Sequence, residues 1–126
     1  MGKSILKVKS FLFALEIIQL YKFLSNEKRE YVLSKQLLRS GTSVGANIRE
    51  AQNAQSPKDF IHKLAISQKE CDESLYWLEL LHRSGYISEV LFEEHFAKAT
   101  EILKMLKSSI PTQSNITHNS SLITPN

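Results

Sequence analysis

Residues 37–52 read LLRSGTSVGANIREAQ. Two glycines four apart, Gly41 and Gly45, stand among Ser40, Thr42 and Ser43, a composition that phosphate-cradling loops share. The spacing argues against such a loop. A Walker loop needs GxxxxGK followed by Ser or Thr; here the glycines are one residue too close and no Lys follows Gly45. A dinucleotide fingerprint needs GxGxxG after a strand, and neither is present.

A helix explains the stretch better. At about 100° per residue, Leu37, Val44, Ile48 and Ala51 form one narrow apolar line with Gly41 beside it, while Gln36, Arg39, Ser43, Asn47 and Glu50 form a polar line. Each mid-helix glycine costs about 1 kcal/mol relative to Ala, so the pair points to close approach of another backbone at Gly41 or Gly45. The polar line meets either a neighbouring helix of the same bundle or, through an Arg–carboxylate network, another subunit or a ligand. Glu70 is the expected partner of Arg39 or Arg49 across the bundle. Glu70 and Glu73, three residues apart on one helix, should meet Lys or Arg.

Outward from this segment the periodicity stays helical. Phe13, Ile17, Leu20 and Leu24 mark a first helix, over 10–25, with Ser10 as its N-cap. The central stretch extends to a second, over 27–54. Phe60, Leu64, Cys71, Leu75 and Leu78 mark a third, over 57–84, opened by the Ser56 cap, Pro57 and Asp59 and closed by Gly85. Phe92, Phe96, Ala99, Leu103 and Leu106 mark a fourth, over 88–109, starting at Ser88. No segment alternates with period two. Short connections between long amphipathic helices predict an all-α, antiparallel up-down-up-down four-helix bundle over 1–110. Residues 111–126, polar and without period, read as a disordered tail.

The first helix is apolar nearly all round. From Phe11 to Leu24 only Glu16, Gln19 and Lys22 are polar, whereas a helix in a lone bundle needs one apolar stripe. The surplus, with Phe11, Leu15 and Ile18 as interface candidates, predicts a homo-oligomer.

The 126 residues suit one domain with one core. The formal net charge is +3. Residues 1–55 carry nine Lys/Arg and four acids, a net +5; residues 56–126 carry seven and nine, a net −2. The basic half makes RNA or single-stranded DNA a candidate partner, through Lys3, Lys7, Lys9, Lys28, Arg29 and Lys35, with Arg39 and Arg49 nearer the packed faces. A solvated basic surface is the plainer reading of the same residues. The opening MGKSILKVKSFLFALEIIQLYKFL has the basic start and apolar run of a signal peptide, but Glu16, Gln19 and Lys22 interrupt the run and no small-residue cleavage site follows, so it reads as part of a cytoplasmic protein. No run reaches the ~18 apolar residues of a membrane span. The single cysteine forbids an intramolecular disulfide and fits a cytoplasmic protein.

Enzymatic chemistry finds little support. Glu79–His82 is an ExxH and Asp59–His62 a looser DxxH, but both fall on the third helix, and a di-metal bundle needs ExxH from two helices. Cys71 lies on an apolar line and reads as a small core residue. We therefore expect no catalytic residue, no metal, no cofactor and no small-molecule substrate. Tyr76-Trp77 reads either as an exposed aromatic anchor of a protein-interaction scaffold or as packing.

The segment from LSKQLLRSGTSVGANIREAQ to LYWLELLHRSGYIS, together with KSFLFA at 9–14 and ILKMLKSSI near the end, resembles the bacterial four-helix bundle proteins called 23S rRNA-intervening-sequence proteins. Several blocks match in order, over nearly all the chain but its first eight residues and its tail. The resemblance implies a bundle assembled as a ring-like homopentamer, in a family for whose main branch no enzymatic activity is established. It also implies kinship with the accessory variability proteins of diversity-generating retroelements, basic pentameric barrels that bind nucleic acid and a reverse transcriptase. The family signature falls on Arg39, Ser43, Asn47, Ile48 and Glu50; Ala51 stands where many members have Gly.

Overall fold

The computed structural model describes residues 2–111, with side chains described from Ile5 onward. It holds four helices: α1 (Gly2–Asn26), α2 (Leu33–Gln52), α3 (Pro57–Arg83) and α4 (Glu89–Ser109), and no strand among the described residues. Helix α2 packs on α1 and α3, and α4 packs on α3 and α1. Each helix thus touches two others around one core. Apart from Pro111, the expected disordered tail lies outside the described residues.

Two helix starts differ from the sequence reading. Helix α1 begins at Gly2, not near Ser10. Nothing in residues 3–9 breaks a helix, and Leu6, 3% exposed, anchors the added turns in the core. Ser10 is buried mid-helix, where its hydroxyl donates to the Lys7 carbonyl at 3.1 Å; it does not cap. Helix α2 begins at Leu33 rather than residue 27. Between the two, Arg29 adopts φ 56°, in the left-handed region, and the Glu30 N–H donates back to the Leu24 carbonyl at 2.9 Å. The chain is thereby turned before α2 starts.

Glu30 then opens α2 from outside it. Its carboxylate accepts the backbone N–H groups of Ser34 at 2.7 Å, Leu33 at 2.8 Å and Val32 at 3.1 Å, the donors that a helix start leaves without partners. Glu30 is buried. Burial pushes its carboxyl pKa up, but the hydrogen bonds from Leu33, Ser34 and Val32 outweigh burial and hold it below the usual glutamate value. The other starts follow the local sequence. Ser56 accepts from the Asp59 N–H at 3.0 Å ahead of Pro57, and Ser88 accepts from the Leu91 N–H at 3.2 Å. Gly85, at φ 89°, supplies the left-handed turn after α3.

The core runs along the bundle axis. Phe13, Ile17 and Leu24 of α1 meet Leu37, Val44 and Ile48 of α2, Cys71, Leu78 and Leu81 of α3, and Ala99, Ile102 and Leu106 of α4. Each fully buried large side chain contributes about 1.5–3 kcal/mol. The glycines of the central stretch set how near α1 comes to α2. A Cβ built on Gly45 would sit 3.3 Å from the Ser10 carbonyl oxygen, and one on Gly41 would sit 3.0 Å from both γ-carbons of Ile17. Backbone meets backbone at Gly45; at Gly41 a buried side chain fills the space that a methyl would need. Between α2 and α3 small polar residues do similar work. Ser40 and Ser74 hydroxyls bond at 2.8 Å, and Ser67 donates to the Val44 carbonyl at 2.8 Å. These pairs satisfy buried hydroxyls that would otherwise cost free energy.

Two outcomes follow for stability. Gly41→Ala should lower stability by about 1–2 kcal/mol, because overpacking against fully buried Ile17 outweighs alanine's better helix propensity; an unchanged or higher urea midpoint would contradict this contact. Glu30→Ala should cost about 1–2 kcal/mol at neutral pH through loss of the cap. A carboxylate held below its unfolded value adds stability that is present above the unfolded pKa, about 4.3, and that is lost as pH falls through the folded value. The stability gap between wild type and Glu30→Ala should therefore narrow below about pH 4; a pH-independent gap in urea titrations would argue against the charged cap.

Candidate interaction surface

The polar line of α2 faces α3. Arg39 donates to the Glu70 carboxylate at 3.2 Å and to that of Glu73, whose same oxygen also accepts the Trp77 indole N–H at 3.0 Å. Trp77 first and Arg39 second hold the Glu73 carboxyl below its usual range. The Arg39 guanidinium is raised above its usual value, chiefly by its bond to Glu73. Further along the seam Lys63 donates to Glu50 at 2.9 Å. Asn47 turns back to its own helix, donating to the Ser43 carbonyl at 2.9 Å, and Gln36 is exposed. So Arg39 and Glu50 clamp α2 to α3. Arg39 is half exposed and such pairs are worth at most about 1 kcal/mol each, so the clamp sets the register of the two helices more than it holds the fold together.

The outward side of α1 is different. Ile5, Val8, Phe11, Leu12 and Leu15 are 45–56% exposed, on the side roughly opposite the core-facing Leu6, Phe13, Ile17 and Leu24 at about 100° per residue. Phe11, Leu15 and Ile18 also line an open groove of about 390 Å³ between α1 and α2, together with Ala14, Gly45 and Ala46. Two cations border it, Lys7 and Arg49, the latter 5.9 Å from the centre of the Phe11 ring.

The basic candidates divide between two ends of the bundle. Lys7 and Lys9 lie on the early turns of α1, where Lys9 pairs with Glu101 at 3.1 Å. The Lys3 side chain lies outside the described residues. Lys28, Arg29 and Lys35 are exposed around the α1–α2 turn, with Lys28 5.8 Å from the centre of the Phe23 ring. By helical rise the two groups are roughly 25–30 Å apart. Arg49, which the sequence placed nearer the packed faces, is exposed and joins the first group.

The remaining candidates resolve into structural roles. His82 contacts Glu89 at 2.9 Å and stacks on Phe92 at 4.4 Å between ring centres, while Asp59 accepts the Gln55 N–H at 3.3 Å. Among the described residues no three His, Cys, Asp or Glu side chains stand together in a metal-holding group. Burial, then nearby Asp72, pushes the Cys71 thiol up to about 12, and its Sγ donates to the Ala99 carbonyl at 3.2 Å; at neutral pH it is a protonated, enclosed thiol. Trp77 is half-buried against the core and packs edge-on to exposed Tyr76 at 5.0 Å. The Trp77–Glu73 bond was available in the sequence as an i, i+4 pair but carried no distinguishing signal. No described helix is long and apolar enough to cross a membrane.

Comparison with known proteins agrees with this architecture. The family described as 23S rRNA-intervening sequence protein matches residues 3–108. A crystal structure of a protein of unknown function from the S23 ribosomal protein family of Bacteroides thetaiotaomicron VPI-5482 is similar, with 55% identity and a TM-score of 0.87, covering 89% of this chain and all of the other. No curated protein matches the chain. With a match that spans all four helices, the chain belongs to the 23S rRNA-intervening sequence protein family.

Proposed function

We propose that this chain is a non-enzymatic, cytoplasmic bundle protein that works as a homo-oligomer, its copies joined through the outer face of α1. The observation that carries this reading is that face: five large apolar side chains on one helix, each about half exposed. Contiguous apolar patches of this kind are rarely left in water. Within each copy the arrangement is up-down-up-down, a reading supported by the antiparallel order of the pairs Ile17–Gly41 and Ser10–Gly45, Ser40–Ser74 and Val44–Ser67, and Lys9–Glu101 and Glu16–Lys98. The assembly is a ring of five copies. Repeated around a ring, Lys7 and Arg49 at one end and Lys28, Arg29 and Lys35 at the other form two basic girdles, suited to the phosphates of RNA or single-stranded DNA without sequence preference. The alternative is a protein-interaction scaffold that does not bind nucleic acid, for which exposed Tyr76 beside Trp77 is the favouring observation.

Sedimentation velocity at micromolar protein should give one species several times the 14.4 kDa chain mass. Leu12→Glu combined with Leu15→Glu, both outside the core, should give a helical monomer. A wild-type monomer at all concentrations would defeat the oligomer reading. In mobility-shift assays, mixed-sequence single-stranded RNA should bind the oligomer and be released as salt rises from about 50 to 200 mM. Lys28→Glu with Arg29→Glu should weaken that binding. No shift at low salt would remove the nucleic-acid reading and leave the scaffold.

A further inference from the structure

A second groove, between α1 and α4, is lined by a histidine with one ring nitrogen unpartnered among the described residues. Leu20 and Phe23 of α1 and Leu91 of α4 give it apolar walls, and its volume is about 420 Å³, within the range of sites that take small molecules. His95 lines it and is 8% exposed. The His95 Nδ1 lies 2.8 Å from the Leu91 carbonyl oxygen. A carbonyl only accepts, so Nδ1 carries the proton, and in the neutral ring Nε2 is left as an acceptor with a free lone pair. Among the described residues Nε2 has no hydrogen-bond partner. Buried acceptors in proteins are almost always satisfied, and what satisfies this one has to bring a donor.

The charge around the groove narrows the choice. Glu16 is already matched by Lys98, which donates to it. Glu94, next to His95 and also lining the groove, makes no ion pair among the described residues. The groove thus offers an apolar slot, buried His95 with its Nε2 unpartnered, and one unmatched carboxylate. It holds no unmatched cation among its described lining residues.

We propose that the α1–α4 groove is a binding site for a small protonated amine on an aromatic or alkyl body. The apolar body lies against Leu20, Phe23 and Leu91. The ammonium donates to His95 Nε2 and faces the Glu94 carboxylate. The chemistry excludes anions, whose charge would meet Glu94, and uncharged hydrocarbons, which would leave Nε2 without a donor. This site is separate from the outer α1 face and does not depend on nucleic-acid binding.

The test is an NMR titration of the isotope-labelled full chain in its native assembly, with tryptamine as the probe and indole-3-acetate as the anionic counterpart. Tryptamine should give saturable shifts at the His95 ring and at the Leu20 and Leu91 methyls, with a dissociation constant of about 1 mM or tighter for a ligand of this size. Indole-3-acetate should give none. His95→Phe keeps the ring volume and removes the acceptor, and should weaken binding about tenfold. Glu94→Gln lies on the exposed surface, leaves the fold untouched and should weaken binding several-fold. Absence of saturable shifts, equal binding of the acetate, or full affinity in Glu94→Gln would each overturn the proposal, whether or not His95→Phe folds.

Discussion

Helix α1 is apolar on two opposite sides, and a single four-helix bundle has room to bury only one. The inner side, through Leu6, Phe13, Ile17 and Leu24, is fully used. To receive it, α2 is thinned at Gly41 and Gly45 until Ile17 and the Ser10 backbone sit against it. The glycines are therefore a consequence of α1. Each sacrifices helix propensity so that a bulky β-branched side chain and a carbonyl can come close. The outer side, through Ile5, Val8, Leu12 and Leu15, remains half exposed. Core and exposed apolar surface of this protein thus meet on one helix.

The α2–α3 seam is built on a different principle. There, approach is set by hydroxyl pairs, Ser40 with Ser74 and Ser67 with the Val44 carbonyl. Around them Arg39 bridges to Glu70 and Glu73, and Lys63 to Glu50. These cross-helix bonds favour one register, since a shift of α3 along α2 would break both, although Ser74 would keep its bond to the Glu70 carbonyl at 3.0 Å. Arg39 and Glu50 of the polar line are thus paired within one copy. What is left exposed is the outer α1 face, the groove beside Arg49 and the basic turn at Lys28 and Arg29.

Much of this was legible along the chain. Ser56-Pro57-Lys58-Asp59 and Ser88 mark their helix starts by side-chain chemistry that acts within three residues, and Gly85 marks a turn only glycine adopts readily. The opposite charges of Arg39 and Glu70, and the surplus apolar surface of α1, were also readable. The misread boundaries share a cause. Ser10 resembles a cap, yet its hydroxyl serves its own helix. Glu30 is a poor cap by type, yet it caps because Arg29 swings the chain left-handed and brings the carboxylate over three N–H groups. Neither outcome is encoded within a few residues. Nor does a charge count reveal that the basic residues separate to two ends, or that His95, between exposed Glu94 and half-buried Phe96, turns inward with one nitrogen unpartnered.

If the outer face of α1 is covered by another copy, folding and association are one process, and stability rises with protein concentration by mass action. Urea unfolding followed by helical circular dichroism, at protein concentrations differing about hundredfold, measures this directly. The midpoint should move to higher urea as protein is added. A midpoint that stays fixed across the whole range would show that α1 keeps its outer face in water and that the chain does not assemble through it.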